Sequence, residues 1–444
     1  MTLAPDHGAP AATATPPAPP RFNPFIRAYA DDPYPTLAAL RSRRPVLPVA
    51  GCDGRDWVVT GQAALRHALS HPDVSVDDLP ARVNRAAAEA GASPSLHTLA
   101  HHLGHWLFFM DGASHRALRG LLAPIGRRDA MVAHRARLTD LADRSIDTLA
   151  RTLDHTGRVD LVPDLAAPYV FQANALVLGL DREMPAEAGY LGGSDGARAW
   201  ASHASRLFDI FTQPMPPRRL NAIADAAAAL DAPITAALAN GDVDVDADPA
   251  RADALPALLR RGLDAHRLSR EAATALVVMM LAVGQDTAQN LIANAIAALF
   301  AAPDQTRRLT ARPDLAAAAA RECARYDSPV QMIVRRAERP LALGGEAIAA
   351  GERLFLMLGA ANRDPATVNA PDRLWLARED ASLLPFGHGP HFCLGAQAAL
   401  VQTECLLAAL ARRDFWARHR LEASERLRAP HLRGFARLRV RPSD

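Results

Sequence analysis

Pro385-Phe386-Gly387-His388-Gly389-Pro390-His391-Phe392-Cys393-Leu394-Gly395 is the stretch on which the reading of this chain turns. Glycine and proline crowd Pro385 to Pro390 into a rigid, turn-rich loop. Apolar residues then recur at helical spacing, at Leu394, Ala398, Val401, Cys405 and Ala408,. The spacing predicts that Cys393 sits at a helix start, where unpaired backbone N–H groups and the positive end of the helix dipole stabilise a thiolate and lower its pKa. The competing reading of a lone cysteine is a small buried core residue. That is the expectation for Cys52, Cys323 and Cys405.

Outward from this loop the chain is long, 444 residues, and 49% hydrophobic, enough for a large core,. Residues 1–21 are mostly Ala, Pro and Thr and are expected to be a disordered tail, because they cannot offset their own ordering entropy. Residues 22–444 read as one domain. Helical patterns cover Tyr34 to Arg43, His115 to Leu122, Arg135 to Leu153, Ile223 to Ala239 and Arg270 to Phe300. Short strand-like pieces lie at Trp57 to Thr60, Val330 to Val334, Leu341 to Leu343, Arg353 to Leu358 and Arg437 to Val440,. The fold class is therefore mainly α, a helix-rich body with a small discontinuous β-region. Asp77 to Gly104 and Phe208 to Arg219 show no firm period and are expected to be irregular segments bordering a pocket.

The net charge of +2 comes without a lysine, all basic charge being arginine. It gives no nucleic-acid footprint. The longest apolar run, Ala275 to Val283, falls short of the ~20 residues that cross a bilayer, and the start of the chain lacks the pattern of a secretory signal. Four cysteines without a CxxC pair fit a reducing compartment,. A cytoplasmic, monomeric protein that binds no membrane is expected.

Gly284-Gln285-Asp286-Thr287 interrupts the apolar face of the Arg270 to Phe300 helix. Mid-helix glycine costs about 1 kcal/mol relative to alanine, and an apolar setting penalises a carboxylate further. An acid beside an alcohol can hold water and relay protons. A glycine there lets the helix pass close to a flat cofactor. Read in isolation, the same block is equally the polar face of an amphipathic helix. His115 and Arg119 lie four apart, on one helix face, where they could grip one anion.

The cysteine loop resembles the haem-binding loop of the cytochrome P450 family, Phe-Gly-x-Gly-x-His-x-Cys-x-Gly, and matches it at every fixed position. The resemblance runs from Trp57 to Phe435 with motifs in the family's order, and identifies the chain as similar to the soluble bacterial members. It implies haem b with Cys393 as axial thiolate and metal ligand, a role in which electron donation favours O–O cleavage. It implies Phe386, Gly387 and Gly284 against the cofactor, and His115, Arg119, Arg335 and His391 at the propionates. Asp286 and Thr287 take the catalytic proton-delivery roles. Glu322, Arg325 and Arg373 form a structural network behind the loop. Val283 stands where the family has a smaller residue and narrows the substrate side, with Met332, Ile333 and Leu432 as further pocket residues.

The implied function is monooxygenation, hydroxylation or epoxidation of a small organic molecule with O2, a secondary-metabolite intermediate being the expected substrate class. Because no flavin, nicotinamide or iron–sulfur motif is present, electrons are expected from a ferredoxin and its reductase, with Arg127 and Arg128 as docking candidates. The alternatives are peroxide-driven or oxidative-coupling chemistry on the same haem thiolate, and a non-catalytic haem-binding protein.

Overall fold

The computed structural model describes residues 22–443, apart from 51–54, 77, 90–91, 181–194, 213–214, 240–253 and 380–383. The expected tail and Cys52 lie outside the described residues. The central element is the helix Arg270–Phe300, started by Ser269, whose hydroxyl accepts the Ala272 N–H at 3.1 Å,. Its residues are buried on nearly every side, as an apolar-all-round helix must be,. It is long and apolar enough to cross a membrane by length and composition, yet 67% of its most apolar window is buried inside this fold.

Two apolar clusters share that helix. Its C-terminal half packs with Arg128–Thr156, Ala167–Leu178 and the cysteine helix Ala396–Arg412, through residues such as Ile292, Ile296, Tyr169 and Leu406. Its N-terminal half packs with Leu79–Ala87, Pro94–His105 and Pro217–Ala239. Each of these fully buried aliphatic side chains contributes about 1.5–3 kcal/mol by leaving water. Val283 and Leu394 both pack against the second cluster. The cysteine loop and the central helix therefore face a common apolar space.

The β-region is assembled from distant pieces. One sheet runs in the order Val46–Ala50, Arg55–Val59, Arg353–Leu356, Ile333–Ala337, Val74–Val76. Phe435–Pro442 pairs with His419–Arg426 on one side and Val159–Asp160 on the other. Leu341–Leu343 and Glu346–Ile348 form a hairpin closed by Gly344 and Gly345, both at positive φ as a two-residue hairpin turn requires,.

The expected helices Tyr34–Arg43 and Arg270–Phe300 have the predicted bounds. The segment read as irregular, Asp77 to Gly104, instead contains the helices Leu79–Ala87 and Pro94–His105. Prolines in their first turns and the Ser93 cap, which accepts from Leu96 N–H at 3.2 Å, start helices that the surrounding Ala, Pro, Ser and Asp conceal,.

Candidate active site

Cys393 lies three residues before the helix Ala396–Arg412. Its own N–H donates to the Phe386 carbonyl at 3.0 Å, closing the loop on itself. Gly387 and Gly389 take left-handed φ values of 74° and 71°, and a Cβ on Gly389 would stand 2.6 Å from the Leu69 carbonyl oxygen. Only glycine permits that approach to the helix Gln62–Ser70,. The N–H of Gly395 donates to the Cys393 sulfur, and the Arg119 charge also favours its thiolate. Burial outweighs both and pushes the thiol up. The expectation of a depressed thiol pKa is thereby corrected: the loop offers hydrogen bonding to sulfur, and deprotonation falls to a coordinated cation.

Neither other described cysteine has such a setting. Cys405 lies mid-helix in the core, accepting a hydrogen bond from the Thr139 hydroxyl at 3.6 Å. Cys323 is fully buried, its thiol pushed up by burial. Both are core residues, as expected.

Four groups expected at an anion converge beside the loop. His115 is 2% exposed and its Nε2 has no hydrogen-bond partner among the described residues. Burial, with His391 and Arg119 nearby, lowers its pKa to about 4. Its ring lies 4.2 Å from that of His391, whose Nε2 is 2.9 Å from Asp111. Asp111 also accepts the Val76 N–H at 3.0 Å and feels the charge of Arg335. Arg119 reaches the Phe392 carbonyl at 2.5 Å, next to Cys393. Two imidazoles and two guanidiniums around one carboxylate, with an orphan ring nitrogen, fit a group bearing two carboxylates. Haem fits this donor set.

On the opposite side, the Thr287 hydroxyl donates to the Val283 carbonyl at 2.8 Å. The Asp286 carboxylate accepts from Ser205, on the helix Asp195–Phe208. Burial raises the Asp286 pKa to about 6, with Asp209 adding to the rise and the Ser205 hydrogen bond opposing it. Gly284 has a packing role besides the one expected at the cofactor. A Cβ there would meet Asn174 Nδ2 at 3.1 Å, so the glycine serves close approach to the helix Ala167–Leu178.

The network behind the loop holds, with one member exchanged. Arg325 and Glu322, 0% and 3% exposed, form a two-pronged pair with both contacts at 2.8 Å. Arg325 also donates to the carbonyls of Asn362, Pro371 and Arg373. The third cation is Arg378, whose Nε lies 3.0 and 3.1 Å from the two Glu322 oxygens. Arg373, expected there, is exposed and offers only its carbonyl.

Among the expected pocket residues, Val283 alone packs with the cluster that includes Leu394. Met332 packs with Tyr29 and Leu37, Ile333 against the main sheet's core, and Leu432 lines a small cleft with Tyr29 and Gln331. Unforeseen in their place is an aromatic layer of Trp106, Phe108, Phe109, Phe208, Phe211 and His431. A second unforeseen cluster joins Asp327 to Arg426, Arg433 and Tyr34, the Arg426 contact being 3.1 Å.

The model of the cytochrome P450 family matches residues 81–314 and 312–415. The chain belongs to the cytochrome P450 family. Vitamin D(3) 25-hydroxylase of Pseudonocardia autotrophica is 32% identical over 381 residues, covering 85% of each chain. Cytochrome P450 monooxygenase PikC of Streptomyces venezuelae is 30% identical over 388 residues, covering 87% of this chain and 84% of PikC. The crystal structure of CalO2 superposes with a TM-score of 0.81 at 26% identity, over 95% of this chain and 99% of that one. This cytochrome P450 is a haem-dependent monooxygenase, and its cofactor is haem b with an axial cysteine thiolate. P450s of this bacterial type draw electrons from ferredoxin and reductase partners in general.

Proposed function

We propose that Cys393 is the axial ligand and that the enzyme oxygenates a small organic molecule, a secondary-metabolite intermediate, in the space below the central helix. One observation carries this reading: among the three described cysteines, Cys393 alone lies in a glycine-shaped loop with a backbone N–H directed at its sulfur. Bound there, haem supplies the oxidant that inserts one atom of O2 into substrate, the other leaving as water.

The chain's own residues do the rest. His115, Arg119, Arg335 and His391 hold the propionates, and the Asp111 carboxylate orients His391. Asp286, whose pKa burial raises to about 6, picks up a proton, and Thr287 passes it inward,. Val283 narrows the reacting space. Electrons arrive at the opposite face. Gly126 abuts the Leu394 carbonyl, where a Cβ would come within 2.5 Å, so the exposed Arg127 and Arg128 stand beside the cysteine loop. An acidic ferredoxin suits that surface.

Thr287→Ala tests the proton route. Its hydroxyl gone, the variant consumes reductant and O2 while forming less product per electron. Product yield per reductant equal to the parent enzyme's favours a peroxide-driven reaction instead.

A further inference from the structure

The aromatic layer carries two orphan polar atoms, Trp106 Nε1 and His431 Nε2, that the oxygenation machinery does not use. Its rings run in sequence: Trp106 lies 6.3 Å from Phe109 and nearly parallel at 12°. Phe109 lies 5.8 Å from Phe211, which is 5.0 Å from Phe208. Phe208 stacks on His431 at 6.1 Å and 23°. Phe109 and Phe211 pack against the same apolar cluster as Val283 and Leu394.

His431 is 8% exposed, and its Nε2 has no hydrogen-bond partner among the described residues. Leaving such a group unpaired costs about 1–3 kcal/mol. A buried polar atom left in this way calls for a completing partner, such as an ordered water, an ion or a bound ligand. Burial and the charge of Arg219 lower its pKa to about 4, so the ring is neutral at physiological pH and does not call for an anionic partner inside the protein. Phenyl faces on one side, a lone imidazole nitrogen at the end and a cation beyond it select for flat apolar rings tipped with oxygen. They select against cationic ligands.

We propose that His431 is a specificity-determining residue that hydrogen-bonds, through Nε2, an oxygen function on a flat ring-bearing substrate that stacks on the aromatic layer. This inference rests on the haem-thiolate reading. The layer then holds the ring by stacking, each aromatic pair adding about 0.5–1.5 kcal/mol beyond area burial, while His431 fixes which end of the molecule points away from the iron.

The test is a titration of the ferric holoenzyme, read as the spin-state change in the absorbance spectrum. Naphthalene, 2-acetylnaphthalene and 2-naphthoate serve as probes of one ring system with no oxygen, a neutral oxygen and an anionic oxygen. The parent enzyme binds at least one oxygenated probe with a Kd about tenfold or more below that of naphthalene. Preference for 2-acetylnaphthalene identifies a neutral oxygen, and preference for 2-naphthoate assigns Arg219 a share. In His431→Phe the preference disappears while naphthalene affinity stays, and His431→Asn, which keeps a polar group, retains part of it. Equal binding of all three probes, a preference that survives in His431→Phe, or no spectral response to any probe overturns the proposal. A reduced CO spectrum of each preparation separates the two levels: loss of the thiolate-type band strikes the haem-thiolate reading, whereas an intact band without the preference strikes only the role of His431.

Discussion

In Asp286, one buried side chain, the proposed proton relay is set against stability. Its folded-state pKa of about 6 lies above the ordinary carboxyl value, so the fold prefers the protonated form. The stability this form carries is fully present below the ordinary pKa, and it is lost as pH rises through about 6. The two-unit rise corresponds to about 3 kcal/mol. Asp286→Asn keeps an acceptor for Ser205 without the charge. The variant is expected to melt at a higher temperature than the parent at pH 8, to melt with it near pH 4, and to lose turnover. A pH 8 melting midpoint no higher than the parent's contradicts the assignment of burial as the cause. The Asp286-Thr287 pair was legible in sequence because charge interrupts an apolar run. The role of Gly284 was not, since only the packed structure shows Asn174 against it. A lone histidine in a loop, such as His431, carries no sequence signal at all until Phe208 and Phe211 are seen on its face.

At the scale of elements, the Ala316–Tyr326 helix places Glu322 and Arg325 one turn apart, with both side chains inside the protein. The segment before the cysteine loop folds over them, tying its carbonyls to Arg325 and its Arg378 to Glu322. Removing one partner leaves a buried charge uncompensated, at a cost of about 3–5 kcal/mol. Glu322→Ala and Arg378→Ala are therefore expected to purify with a reduced haem-to-protein ratio, and Arg373→Ala with the parental ratio. Full haem occupancy in Arg378→Ala, or a deficit confined to Arg373→Ala, reverses this assignment. The long apolar run of Arg270–Phe300, with its Ser269 cap, was readable to the residue. Short strands such as Val46–Ala50 and Val74–Val76 were not, because three to five residues carry too little alternation and their partners lie far away in sequence. The choice between Arg373 and Arg378 failed for a related reason: the segment between them has no period that orients its side chains.

Across the whole molecule, two apolar clusters share the central helix; Leu394 of the cysteine loop packs against one and the helix that follows the loop against the other. The donors gather around His115 and Asp111, and the aromatic layer and the Asp286–Ser205 contact are built from other segments. The loop motif announced this arrangement, since few residue patterns other than a ligand cradle demand two left-handed glycines and a cysteine so close together. What the oxidant acts on was hidden, because the rings that shape the space come from three separate segments. The central claim is that Cys393 ligates the haem iron through its thiolate. The most direct measurement is the absorbance spectrum of the reduced, CO-bound holoenzyme, with Cys393→Ser and Cys405→Ser beside it. The parent and Cys405→Ser are expected to show the red-shifted Soret band of a thiolate ligand, and Cys393→Ser to lose it; a parent enzyme without that band, or a Cys393→Ser variant that keeps it, contradicts the account.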